Sequence, residues 1–213
     1  MKRKKYLIWG GMLLLCFILF TLLVKRVDVQ PIGPEGSAVG FAALNSQIRD
    51  AIGVHLWWDS LTDWMGLLLV AMGSGFAALG TVQLFKRRNL WRVDQEILWL
   101  GVLYIVMGAC YILFEKFPVN YRSVILAEGL EPSYPSSHTL LAICVMVTAI
   151  LQFKRLLSEK RTLRRWGVGI CTVLMAITVV GRVIAGIHWT TDIVGGVLLA
   201  AALVELYRGV TAK

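Results

Sequence analysis

The sequence predicts an all-α polytopic membrane protein: a six-transmembrane-helix bundle with an interfacial amphipathic helix between spans 1 and 2. Three observations lead there. Hydrophobic residues make up 57% of the 213-residue chain, above the usage of an ordinary soluble domain. They gather in six apolar runs of roughly bilayer-crossing length. The charged residues fall mainly between the runs, with the basic ones concentrated in alternate connections. The whole chain, 1–213, reads as one integral membrane domain.

The first span covers about 6–24, behind the basic start Lys2-Arg3-Lys4-Lys5. No small-residue cleavage site follows the run, which ends at Lys25-Arg26, so an uncleaved anchor is expected. Gly33-Pro34-Glu35-Gly36 then marks a turn before a mixed segment, 39–58. There Phe41, Leu44, Ile48, Ile52 and Leu56 recur at helical spacing, with Asn45, Arg49 and Asp50 between them. This is the pattern of a helix lying in the interface, with Trp57 and Trp58 as anchors. His55 lacks a charged partner at helical spacing and reads as solvated. The second span, about 61–85, carries Gly66, Gly73, Gly75 and Gly80, which let neighbouring helices approach closely.

After a short basic connection the third span covers about 97–114. A polar island follows, with Lys116, Arg122, Glu128 and Glu131 ahead of Pro132-Ser133-Tyr134-Pro135-Ser136-Ser137-His138. The fourth span begins at His138 and covers about 138–153. Lys154 to Arg165 holds six basic residues and one acid, Glu159. A fifth span at about 166–184 and a sixth at about 188–207 complete the chain. Cys16, Cys110, Cys144 and Cys171 all lie in apolar runs without paired spacing, so they read as small buried residues and not as disulfides or metal ligands.

The net charge of +9 is topological in this setting, and no nucleic-acid partner is expected. With six spans the two termini share one side. The connections on that side hold 16 of the 22 Lys and Arg residues, which places the termini in the cytoplasm of a cell-membrane protein. His138, Arg182 and His188 then fall together on the outer face.

The polar residues gathered there suggest chemistry. Lys116, Arg122 and Arg182 supply cations, Ser136 and Ser137 supply hydroxyls, and a helix start behind Pro135 supplies exposed N–H groups. Together they suit a compact anion such as phosphate. His188 and Asp192 are four apart, so the carboxylate can orient the imidazole. A neutral, oriented imidazole can attack phosphorus, and a second imidazole, His138, can protonate the leaving oxygen. The cations can carry the transition-state charge, so neither a metal nor another cofactor is required.

In Pro135-Ser136-Ser137-His138 and in Arg182, His188 and Asp192 at their spacing, the chain resembles the type 2 phosphatidic acid phosphatase superfamily. That family's pattern is a Lys and Arg-Pro segment, then Pro-Ser-Gly-His, then Ser-Arg, five residues, His, three residues and Asp. The resemblance implies a membrane lipid phosphatase in which His188 forms a phosphohistidine, Asp192 orients it and His138 is the general acid. It implies Lys116, Arg122, Ser136 and Arg182 as phosphate ligands, to which the Ser137 hydroxyl and N–H can add. Three departures stand out. Ser137 replaces glycine, Gly181 replaces the serine before the arginine, and Lys116 and Arg122 are six apart instead of seven, with Ser123 in the place of proline.

Two other readings compete. A non-catalytic transporter or lipid-binding assembly protein accounts for the cations but gives the two histidines and the aspartate no task. Vanadate-dependent haloperoxidases share a similar anion pocket, but they are soluble. The implied substrate is a lipid phosphate or diphosphate: undecaprenyl diphosphate, phosphatidylglycerol phosphate, phosphatidate and diacylglycerol diphosphate all present phosphate at a similar depth.

Overall fold

The computed structural model describes residues 2–126 and 129–212. Glu128 of the polar island and Lys213 of the inner charge set therefore lie outside the described residues. Among the described residues seven α-helices are found: α1 (Lys2–Val24), α2 (Ala42–Ile52), α3 (Leu56–Arg87), α4 (Gln95–Lys116), α5 (Ser137–Leu156), α6 (Arg161–Ala185) and α7 (Thr190–Thr211). All but α2 are long and apolar enough to cross a membrane. The expected six-span, all-α membrane fold is present, and extended backbone among the described residues pairs only in isolated bridges.

The main revision concerns the segment between spans 1 and 2. The apolar spacing continues through Leu56, but the helix does not. Gly53 adopts a positive φ of 77° and terminates α2 at Ile52. Trp57 and Trp58 therefore belong to α3, which starts five residues earlier than the expected span and takes in Asp59 as well as Asp63. At 1.5 Å per residue, its 32 residues extend about 48 Å, well beyond the ~30 Å hydrocarbon layer. The amino end of α2 is capped at a distance, because the Asp28 carboxylate accepts the Ala43 N–H at 2.7 Å.

α1 lies along α7. A Cβ added at Gly10 would come within 2.8 Å of Leu206, and one at Gly209 within 2.5 Å of Leu7. Both glycines are thus required for the close approach of these two helices. α5 is the central helix, packed on α3, α6 and α7. α4 lies at the periphery, and most of its surface is exposed. The outward residues of α1 and α4, such as Ile8, Leu15, Ile105 and Ile112, are apolar because lipid is their solvent. Cys144 and Cys171 are buried as expected, whereas Cys16 lies on the outward face of α1.

At the end of the bundle that holds the termini, Asp94 accepts hydrogen bonds from Arg87 at 2.9 Å and from Gln83 and Arg155 at 3.1 Å. Gln152 donates to the Tyr207 hydroxyl, which donates to the Glu96 carbonyl. These bonds tie together α3, α4, α5 and α7. The opposite end collects the starts of α3, α5 and α7 and the finishes of α4 and α6.

Candidate active site

His188 lies in the connection between α6 and α7, just ahead of the α7 helix. The four-residue spacing to Asp192 therefore works across a helix start: Asp192 is in the first turn, and its Oδ2 accepts the Trp189 N–H at 3.0 Å. Its Oδ1 accepts from the Asn120 side-chain amide at 2.9 Å. His188 Nδ1 stands 3.7 Å from Asp192 Oδ2, an ion-pair distance longer than a hydrogen bond. Both His188 ring nitrogens are buried and unbonded among the described residues.

Two connections, α2–α3 and α4–α5, hold this turn in place. Gly186 has φ +68°, and a Cβ there would meet the Gly53 carbonyl oxygen at 2.0 Å, so this position accepts only glycine. The His55 N–H donates to the Ala185 carbonyl at 3.0 Å. From the α4–α5 connection, the Ser123 hydroxyl donates to the Gly186 carbonyl at 2.7 Å, and the Ser123 N–H donates to the Ile187 carbonyl at 3.0 Å. The buried Trp189 indole donates to the Tyr121 carbonyl at 2.8 Å. Ser123 stands where the resembled family has proline, and the backbone bond to Ile187 needs an N–H that proline lacks. His55 is exposed, and its Nε2 pairs with the Ile52 carbonyl, as expected for a histidine outside the site.

The start of α5 supplies the second group. Ser136 caps the helix: its Oγ accepts from the Thr139 N–H at 3.4 Å and from the Thr139 hydroxyl at 3.0 Å. The Ser136 N–H donates to the Asp192 carbonyl at 3.0 Å. α7 comes close enough for this because Gly195 faces Tyr134 and Gly196 faces the Ser136 carbonyl, each with a Cβ position under 3.0 Å from its neighbour. Ser136 is fully buried, whereas Ser137 is half-buried and faces the cleft described below.

Arg182, one turn before the end of α6, has no exposed surface. Its Nη1 donates to Asp59 and its Nη2 to Asp63, both on α3, and its Nε is buried without a partner among the described residues. Asp63 also stands 3.3 Å from His138 Nε2. The approach of α3 explains the missing serine before this arginine. A Cβ at Gly181 would lie 2.7 Å from Thr62 and 3.1 Å from Trp58, so a side chain there would push away the helix that carries the two aspartates.

Arg122 pairs with Glu131 at 2.7 Å and, with Ser137 and His188, lines a narrow cleft that also touches Glu115, Tyr134 and Pro135. Lys116 is exposed at the last turn of α4, and Glu115, its neighbour, reaches the cleft instead. The structure thus brings Arg122, Ser136, Ser137, His138, Arg182, His188 and Asp192 to one end of the bundle and leaves Lys116 at the rim. A second, largely apolar cavity of about 410 Å³ shares Tyr111, Ser137 and Leu140 with the cleft and adds His138, Val70, Met107 and Gly108.

Burial holds the His188 imidazole below its ordinary range, and Arg182 and Arg122 push it the same way against the opposing pull of Asp192. The ring is therefore neutral near pH 7, the form in which a histidine nitrogen is a nucleophile. With Nδ1 turned toward Asp192, the free Nε2 is the nitrogen available for attack.

Sequence reasoning missed Asp59, Asp63, Asn45 and Asn120. Asn45, buried on α2, donates to Thr191 at 3.0 Å and to the Gly40 carbonyl at 2.7 Å, bracing the start of α7. The aspartates did leave a signal, since two acids four residues apart at the start of an apolar span share one helix face. The asparagines left none.

Residues 110–212 match the family model of the PAP2 superfamily. The fold matches the "first transmembrane PAP2 type phosphatidylglycerolphosphate phosphatase from Bacillus subtilis" at a TM-score of 0.65, with 18% identity over 95% of each chain. No curated protein sequence matches the chain.

Proposed function

We propose that the chain, whose residues 110–212 match the PAP2 superfamily model, is a membrane phosphatase of that superfamily and hydrolyses a lipid phosphate or diphosphate through a phosphohistidine at His188. The observation that carries this reading is the buried, neutral His188, both ring nitrogens unbonded, beside a cleft that also holds Arg122 and Ser137.

In the first half-reaction His188 Nε2 attacks phosphorus. The P–O bond to the lipid breaks, and His138 gives its proton to the leaving oxygen. Asp192, held by Asn120 and the Trp189 N–H, keeps Nδ1 protonated and stabilises the charge gained by the ring. Arg122, Arg182 and the N–H groups at the start of α5 carry the charge on the phosphoryl oxygens, with Lys116 at the entrance. In the second half, His138 takes a proton from water, water attacks phosphorus, the P–N bond breaks and inorganic phosphate leaves. Cations and helix dipoles supply the electrostatic stabilisation, so we propose that the reaction needs no metal.

The apolar cavity beside His138 suits the chain of an amphiphile whose headgroup occupies the cleft. Phosphatidylglycerol phosphate is the first substrate to try, since the neighbouring fold from Bacillus subtilis is described as acting on it. Phosphatidate, diacylglycerol diphosphate and undecaprenyl diphosphate follow. The basic clusters lie at the opposite end of the bundle from His188, which supports cytoplasmic termini and an outward-facing site.

The test is phosphate release from these four lipids by detergent-solubilised protein with EDTA present, together with trapping of an acid-labile phosphoenzyme. Wild type should release phosphate from at least one lipid and form the phosphoenzyme, and His188→Ala should do neither. Release from none of them would return the chain to the reading of a lipid-binding or transport protein.

A further inference from the structure

Arg182 is fully buried, and the two aspartates that meet it are not equivalent. They stand one helical turn apart on the same face of α3, but the Asp59 side chain is 11% exposed and that of Asp63 is 54% exposed. Asp63 Oδ1 donates nothing and accepts from Arg182 Nη2, and the same oxygen lies 3.3 Å from His138 Nε2. One carboxylate oxygen thus bridges the two groups to which the reaction assigns a phosphoryl oxygen and the leaving oxygen. Arg122, Arg182 and His188 act electrostatically on His138, and Asp59, Asp63 and Arg122 on Arg182.

We propose that Asp63 is a positioning residue that stands in for a phosphoryl oxygen between turnovers and is displaced when phosphate binds. A guanidinium without exposed surface needs a counter-anion. Asp59, enclosed by α3 and α6, supplies a permanent one. Asp63 supplies the replaceable one, because its half-exposed carboxylate can swing away from Arg182 as the substrate dianion takes its place. After hydrolysis its return helps to expel inorganic phosphate. Asp63 therefore keeps Arg182 and His138 aligned in the empty site while weakening the hold on every phosphate that enters it. A residue that only braced α3 against α6 would do the first and not the second.

The inference rests on Arg182 and His138 being the phosphate site proposed above. The experiment measures KM, kcat and the competitive inhibition constant of inorganic phosphate at fixed pH for wild type, Asp63→Asn, Asp63→Ser, Asp63→Glu and Asp59→Asn. Removing the Asp63 charge should tighten phosphate inhibition at least tenfold and lower KM, with kcat falling as release slows. Asp63→Glu keeps the charge and should retain the wild-type inhibition constant. Asp59→Asn should not tighten phosphate at all. Thermal melting against phosphate concentration reads the same affinity without turnover. Inhibition within twofold of wild type in both neutral Asp63 variants, or weaker, overturns the inference alone. Failure of both neutral variants to fold also overturns it, because Asp63 would then be a structural tie. A wild-type enzyme that phosphate does not inhibit overturns the proposed phosphate site along with it.

Discussion

Asn120→Ala is the sharpest test of how the proposed nucleophile, His188, is oriented. The Asp192 carboxylate has no exposed surface and accepts one bond from Asn120 at 2.9 Å and one from the Trp189 N–H at 3.0 Å. The substitution removes the first and leaves the second. A hydrogen bond to a charged group contributes about 1.5–3 kcal/mol. If that whole difference reaches the transition state through His188, kcat/KM falls about 10- to 160-fold. Asn45→Ala is the matched control: Asn45 is equally buried and shares Thr191 with Asn120, but it does not touch Asp192. It should lower thermal stability by about 1–2 kcal/mol with only a few-fold loss of kcat/KM. Steady-state kinetics on a lipid phosphate, paired with thermal melting in detergent, separates the two effects. A loss below threefold in Asn120→Ala, or one no larger than in Asn45→Ala, would refute the view that Asn120 acts through Asp192.

Three further outcomes are expected. Gly181→Ser, which restores the family residue, should destabilise the protein by about 1–3 kcal/mol, and adding Thr62→Ala should recover part of it in melting experiments. Ser123→Pro removes both the backbone and side-chain bonds to the His188 turn, and it should reduce kcat/KM at least tenfold, while Ser123→Ala keeps the backbone bond and retains most activity. Because burial lowers the His188 pKa, the folded protein keeps this ring neutral below the ordinary value of about 6.5. The acid limb of kcat/KM should therefore lie below pH ~6.5, and a His188-dependent limb at or above that value contradicts the assignment. The linked stability contribution is present above about pH 6.5, where the unfolded ring is also neutral, and is lost as pH falls through the folded value.

The six spans were legible because lipid imposes long apolar runs, and the polar residues that gather at one end of the bundle were legible because polar side chains beside those runs are rare. What could not be read was the partner of each ligand. The sequence spacing linked His188 to Asp192 as neighbours on a helix, whereas the structure places the histidine outside the helix and gives the aspartate a second task at its first turn. For Arg182 the spacing offers no partner, because Asp59 and Asp63 lie 123 and 119 residues away on α3. Gly181 and Ser123 looked like losses from a pattern. Each becomes intelligible only once α3 and the α4–α5 connection are seen against them, contacts that link positions more than 60 residues apart.

The Ser136 to Asp192 backbone bond and the glycines beside it weld the starts of α5 and α7 together, so the segments that carry the two histidines share one mount. The wall proposed to face the lipid tail is different: α4 is largely exposed and contributes Met107, Gly108 and Tyr111 to the apolar cavity. The cavity thus joins the reactive side, through Ser137 and His138 on α5, to a wall on α4 whose Met107 and Gly108 lie outside the cleft. Changes at Met107 or Gly108 can retune which amphiphile enters while leaving the spacing of the histidines alone, so diversification of substrate range need not pass through inactive intermediates.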